Sequence, residues 1–301
     1  VAKQDLGAPL AFATCCIVWG TTFLAIRESD ATLAPLWGAA LRLAIAGALL
    51  CVPWAILRQP IPRGKVLFVV IVFGVLDYGL NLGLLYWAEG SIPSGLAAVF
   101  YATAPISALL IARAIGQERL DGWKLAGTLV AFAGVATIFG VALTGAVNPW
   151  ALLAVLGAAT SASLSSVILR TIPPQPTTST VAIGCLASAV FLVAGSALFR
   201  EPMLVPTTWS VWWPVLYLAV AGSIVAFGLF TWLLGRWNAS SATLVGIIAP
   251  VVAVGVGIVV GGERLTASIV LGGALVVAGV LVALLRARAV DRAARRPTTD
   301  A

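Results

Sequence analysis

Apolar runs of about twenty residues recur along the whole of this 301-residue chain, separated by short stretches carrying charge, proline or glycine. A helix crosses the ~30 Å hydrocarbon layer of a bilayer in about 20 such residues, and in lipid a helix satisfies its own backbone. Read in order, the runs give ten segments, at 8–26, 33–57, 65–88, 93–115, 122–141, 149–169, 179–199, 211–234, 239–260 and 267–286. The first is long and ends in Arg27-Glu28 without a small-x-small cleavage pattern, so it reads as a retained span and not a signal peptide. No stretch remains for a soluble catalytic domain.

Composition narrows the function classes. Charged residues make up only 10% and hydrophobic ones 61%, with a mean hydropathy of +1.06; a soluble domain carries about 25% charge. Histidine is absent, which removes the commonest general base and metal ligand. Cys15, Cys16, Cys51 and Cys185 all fall inside apolar runs without metal-like spacing. No metal, cofactor or enzymatic activity is expected.

The net charge of +7 has a topological explanation. Lys3, Arg58, Arg63, Lys65, Arg113, Arg119, Lys124, Arg170, Arg236, Arg286, Arg288, Arg292, Arg295 and Arg296 fall in the tails and even-numbered turns, against Arg27, Arg200 and Arg264 in the opposite turns. By the positive-inside rule both termini are cytoplasmic, in a multi-pass protein of a bacterial inner membrane. Lipid, not nucleic acid, is the partner this pattern implies.

Sliding the chain by 145 residues on itself reveals a repeat. Ala104-Pro105 through Glu118-Arg119-Leu120 falls on Ala249-Pro250 through Glu263-Arg264-Leu265; Gly127 and Gly134 fall on Gly272 and Gly279, and Trp87 on Trp232. In the first two helices of each half the offset is nearer 142 to 143. Residues 1–145 and 146–289 are two five-helix repeats, and 290–301 is a basic cytoplasmic tail. Because five is odd, the second repeat enters the membrane from the opposite side. The fold class is therefore an all-α integral membrane protein of ten transmembrane helices in two inverted five-helix repeats. Many secondary transporters are so built, with the site near the midplane between the halves.

Val18-Trp19-Gly20-Thr21-Thr22-Phe23 in the first helix resembles the aromatic-Gly-small-small opening of the drug/metabolite transporter superfamily, specifically its ten-helix EamA-type exporters. The Pro105 to Glu118-Arg119-Leu120 stretch, repeated at Pro250 to Leu265, resembles that family's repeat signature. The sixth helix departs from the pattern, with Ala159-Thr160-Ser161-Ala162-Ser163 where a Trp often stands. The resemblance implies export of amino acids, including aromatic ones, or of other metabolites; relatives carry nucleotide sugars or triose phosphates.

Several residues invite roles. Pro105 and Pro250 occupy the middle of the fourth and ninth spans, where each removes a backbone hydrogen bond; static kink and moving hinge both fit. Glu118 and Glu263 precede the fifth and tenth helices, with Asp121 and Thr266 placed as N-caps. Gly127, Gly134, Gly272 and Gly279 permit close helix approach, inside a monomer or across a weak homodimer. Arg42 and Asp77 lie roughly 13 to 17 Å into the membrane from the outer helix ends. The second half replaces Asp77 by Gly222 and has only Gly184-Cys185 near the place of Arg42, so both charges vanish together, as expected of an intramembrane ion pair.

An asymmetric solute needs asymmetric contacts, so the substrate site is expected where the halves differ. Tyr78, Asn81 and Tyr101 of the first half correspond to Ser223, Ala226 and Gly246 of the second, groups against room. Trp19, Ser161, Ser163 and Ser165 complete the expected wall. Tyrosine and asparagine suit a small molecule with a ring or alkyl part and a polar end. The leading expectation is an exporter of small amphipathic metabolites, amino acids with hydrophobic or aromatic side chains foremost. The alternatives are another solute (nucleotide sugar, lipid-linked or drug-like), a membrane enzyme, or a non-transporting membrane subunit.

Overall fold

The computed structural model describes residues 7–92, 94–139, 148–261 and 266–294. The second ERL stretch, Glu263-Arg264-Leu265, and the basic tail from residue 295 onward lie outside them. The described elements are all helical, and they fall into ten spans as the apolar runs require. The first and second spans are α1 (Gly7–Asp30) and α2 (Pro35–Ile56). The third is composite, α3 (Gly64–Gly74) and α4 (Asn81–Glu89) joined through a π-helical stretch, Val75–Leu80. The fourth is broken into α5 (Ser94–Tyr101) and α6 (Ala104–Ala114), and the fifth is α7 (Gly122–Phe139).

The second half repeats this plan. It comprises α8 (Pro149–Leu169), α9 (Thr177–Leu198), α10 (Trp209–Tyr217) with a π-helical stretch Leu218–Val225 and α11 (Ala226–Leu234), then α12 (Ala239–Ala242) with α13 (Val245–Gly261), and α14 (Ala267–Ala294). Seven spans have described apolar runs long enough to cross a bilayer alone, and the shorter runs Gly7–Thr22, Val99–Ala114 and Gly122–Ile138 supply the others. Side-chain caps set several starts. Asp121 Oδ1 accepts from the Lys124 N–H at 2.9 Å, Thr266 Oγ1 from Ile269 at 3.4 Å and Asn148 Oδ1 from Trp150 at 3.1 Å.

The halves run in opposite directions, and glycines record it. A methyl added to Gly127 would stand 2.7 Å from the Gly279 carbonyl oxygen, and one added to Gly134 would stand 2.6 Å from that of Gly272. Residue numbers rise along α7 as they fall along α14, so the two helices cross antiparallel, backbone against backbone. Of the two readings of this glycine quartet, the structure has the internal one. α2 and α9 pair in the same sense, Leu36 meeting Gly195 and Gly47 meeting Leu186. The remaining packing obeys the same two-fold relation. The first span packs on the eighth and ninth, and the sixth packs on the third and fourth.

The proline breaks are less symmetric than the repeat suggests. Pro105 sits in the first turn of α6, where a missing N–H costs nothing, and the chain turns just before it, with the Thr103 N–H on the Phe100 carbonyl at 3.2 Å. Pro250 lies inside a continuous α13. The ninth span breaks earlier, at Thr243 and Leu244, and tight turns carry it into α13, with the Gly246 N–H on the Thr243 carbonyl at 2.9 Å. The two prolines are equivalent in sequence but not in their relation to the break. Only Pro250, inside its helix, withholds an amide hydrogen from a helical carbonyl, that of Gly246 four residues earlier.

Candidate functional site

A cavity lies between the repeats, and its wall is drawn from equivalent positions of both. Leu82 and Leu85 line it from α4, and their counterparts Phe227 and Phe230 line it from α11. Tyr101 and Ala104 are matched by Gly246 and Ala249. Trp19 of α1 closes one side, its ring 5.3 Å from that of Phe230 and its indole N–H on the Gly222 carbonyl at 3.3 Å.

Two charged side chains interrupt this apolar lining. Arg42, from the second turn of α2, is 2% exposed and reaches towards the second repeat. Its Nε donates to Ser223 Oγ at 3.2 Å and its Nη1 to Tyr86 Oη at 3.1 Å; its guanidinium stands 5.8 Å from the Phe227 ring centre. Asp77, in the π-helical stretch of the third span, lines the same cavity and faces the Ser165 hydroxyl.

The structure corrects the expectation of an ion pair between them. Among the described residues the salt bridges join Lys124 to Glu118 and Arg286 to Asp121, and none joins Arg42 to Asp77. The reason is the direction of the arginine. Its Nη2 packs against Gly222, where an added methyl would stand 3.0 Å away, and Gly222 is the second repeat's counterpart of Asp77. Arg42 thus occupies room left by the missing second carboxylate.

Of the expected substrate contacts, Trp19, Asn81, Tyr101 and Gly246 line the cavity, and Pro250 with them. The Asn81 amide donates to the Asp77 carbonyl at 3.0 Å, while its Oδ1 accepts no hydrogen bond. Tyr78, Ser163 and Ser223 lie elsewhere. The Tyr78 ring is fully buried, stacked on Phe227 with centres 4.0 Å apart, and its hydroxyl meets that of Thr231 at 3.2 Å. Ser163 donates to the carbonyls of Ala104 and Ala159 and so ties α8 to the start of α6. Ser223 is buried and positions Arg42. Ser161 caps the Leu76 carbonyl of the π-helical stretch at 2.8 Å.

Phe227, Phe230 and Tyr86 are the wall and support residues that polarity alone does not single out. A signal for the phenylalanines was present, since both stand where the first repeat has leucine.

A polar network near the start of α7 joins the two repeats. Glu118 Oε2 accepts from Lys124 Nζ at 2.9 Å and from the Ser240 hydroxyl, and its Oε1 accepts from the Ser240 N–H at 3.2 Å. Lys124 Nζ also donates to Asn238 Oδ1 at 3.1 Å. Both members of the ion pair are buried, with side chains 6% exposed.

The sequence model of the EamA-like transporter family matches this chain twice, over residues 6–140 and 146–285. The uncharacterized inner membrane transporter YedA of Escherichia coli (strain K12) is 32% identical over 272 residues, covering 89% of this chain and 88% of its own. The probable amino-acid metabolite efflux pump of the same strain is 28% identical over 285 residues, covering 88% and 91% respectively. A crystal structure 26% identical in sequence matches with a TM-score of 0.78, over 94% of this chain and 98% of its own.

Proposed function

The chain belongs to the EamA-like transporter family, and from that premise we propose that it exports small amphipathic metabolites, foremost amino acids with hydrophobic or aromatic side chains. The observation that carries the reading is the cavity between the repeats, walled by Trp19, Phe227, Phe230 and Tyr101 and bearing Arg42 and Asp77. Aromatic faces take up an apolar side chain, while a few polar groups fix orientation. The relative named as a probable amino-acid metabolite efflux pump supports the same class. A non-transporting subunit has no use for such a cavity.

In this reading the Glu118–Lys124–Asn238–Ser240 network, which joins the repeats near the start of α7, opens to admit solute from that side. Alternating access then consists of one repeat moving against the other about the shared site. The positive-inside pattern supports a cytoplasmic position for that edge, so that opening there loads the carrier and opening at the far side releases solute. The test is flux of individually radiolabelled amino acids from proteoliposomes containing the purified full-length protein. Movement of aromatic or branched aliphatic amino acids above that of protein-free vesicles is expected. No flux for any of the twenty, from protein that elutes as a single folded species, would refute the reading.

A further inference from the structure

We propose that Arg42 and Asp77 are the two poles of a zwitterion site, Arg42 taking the solute's carboxylate and Asp77 its ammonium group. The inference rests on the transport reading above and deepens it, from amphipathic metabolites to solutes carrying both charges at once.

A guanidinium has five N–H donors and is always charged. In Arg42 the bonded ones go to two neutral hydroxyls, Ser223 and Tyr86, at 3.2 and 3.1 Å. Hydroxyl dipoles orient the group without cancelling its charge. Asp30 interacts electrostatically with Arg42, and both Asp30 and Glu89 with Tyr86, but neither carboxylate forms a salt bridge with the guanidinium. Asp77 likewise has a hydroxyl neighbour, Ser165, and no salt-bridged cation. Burying an ion without a counter-ion costs several kcal/mol, and charges kept within membrane spans line functional cavities or pair with one another. These two line one cavity and do not pair.

The repeat shows that the π stretch of a half's third span forms without either. The equivalent region of the second half has Gly222 for Asp77 and Gly184-Cys185 near the place of Arg42, and that half builds the same third-span π stretch without them. One positive and one negative pole lining one cavity together with aromatic side chains match a ligand of zero net charge with its charges at one end and an apolar group beside them. The Asn81 Oδ1, which has no hydrogen-bond partner, adds an acceptor on the wall that Asp77 shares. An ammonium group needs acceptors of that kind.

The experiment compares analogues on the wild-type protein and then on two variants. For whichever radiolabelled amino acid the reconstituted protein moves fastest, its methyl ester (no carboxylate), its deaminated acid (no ammonium) and its enantiomer compete for flux. Each single-charge analogue is expected to compete at least about tenfold more weakly than the parent, since a charge-assisted hydrogen bond is lost in each case. Arg42→Gln is expected to erase the discrimination against the ester alone, with Arg42→Lys restoring part of it. Asp77→Asn is expected to erase discrimination against the deaminated acid alone. A purely structural arginine would lower stability without changing which analogue competes. Should ester and acid compete as well as the parent on the wild-type protein, the zwitterion site is wrong while amino acid export stands. Absence of flux for every amino acid overturns both.

Discussion

The Tyr101 ring lies against Gly246, the residue that holds its own place in the second repeat: a methyl on Gly246 would stand 3.4 Å from Tyr101 Cε1. That separation is ordinary van der Waals contact, so Gly246→Ala should transport much as the wild type does. Gly246→Phe would put a second ring into the cavity that Gly246 lines and take up the room a solute needs. A loss of flux in Gly246→Phe, with melting temperature near that of the wild type, is the expected result in proteoliposomes and detergent respectively.

The crossing of α7 and α14 gives a stability test with an internal control. Gly279→Ala puts a methyl 2.4 Å from the Gly127 carbonyl oxygen and 2.5 Å from the Ala131 nitrogen, whereas Gly273 has no atom within 4 Å of such a methyl. Overpacking costs about 1–3 kcal/mol. Gly279→Ala should therefore melt several degrees lower in a detergent thermal-shift assay, and Gly273→Ala should melt no lower than the wild type. Equal melting of the two would contradict the backbone contact.

Removing one partner of the buried Lys124–Glu118 pair leaves a charge facing too few partners. The cost for buried pairs is about 3–5 kcal/mol. Glu118→Ala is expected to lower the melting temperature more than Gly279→Ala, and the double variant Glu118→Met with Lys124→Met should recover much of the loss. Failure of the double variant to recover would place the network's contribution in Ser240 and Asn238 instead.

Asp121 sets a pH dependence at the membrane edge. The Lys124 backbone N–H, and after it the Arg286 guanidinium at 3.0 Å, hold its carboxyl below the ordinary value. A depressed folded-state pKa contributes stability that is complete above the unfolded value, about 3.9, and is lost as pH falls through the folded one. Melting temperature should thus fall on acidification below about 3.9 by more in the wild type than in Asp121→Asn. Asparagine keeps the N-cap, so Asp121→Ala should be less stable than Asp121→Asn at neutral pH. Parallel acid profiles for the wild type and Asp121→Asn would count against this role.

Span number, fold class and inversion were legible because length, hydropathy and an odd repeat leave few alternatives. The interior of the spans was less so. The difference between Tyr78 and Ser223 does not identify a cavity residue: Asp77, Asn81 and Leu85 share one face at helical spacing and line the cavity with Leu82, and Tyr78 does not. Tyr78 stacks on Phe227 while Asn81 reaches the cavity. Polarity was an incomplete guide to the wall, since the Leu82/Phe227 and Leu85/Phe230 differences carry as much shape as the Tyr101/Gly246 one. The joint loss of Arg42 and Asp77 was read as the mark of a direct ion pair, which the structure does not form; a shared ligand would couple two residues as well as a direct bond does.

The antiparallel crossings of α7 with α14 and α2 with α9 bring together helices that are their own counterparts under the two-fold relation, and so lie on its axis. When two inverted halves trade conformations, an axis of that kind maps onto itself, and whatever sits on it keeps its geometry in both states. The glycine-packed crossing is then a bearing. Covalently tying α7 to α14 there should leave turnover running, whereas a tether between the Glu118 loop and Ser240 should stall it.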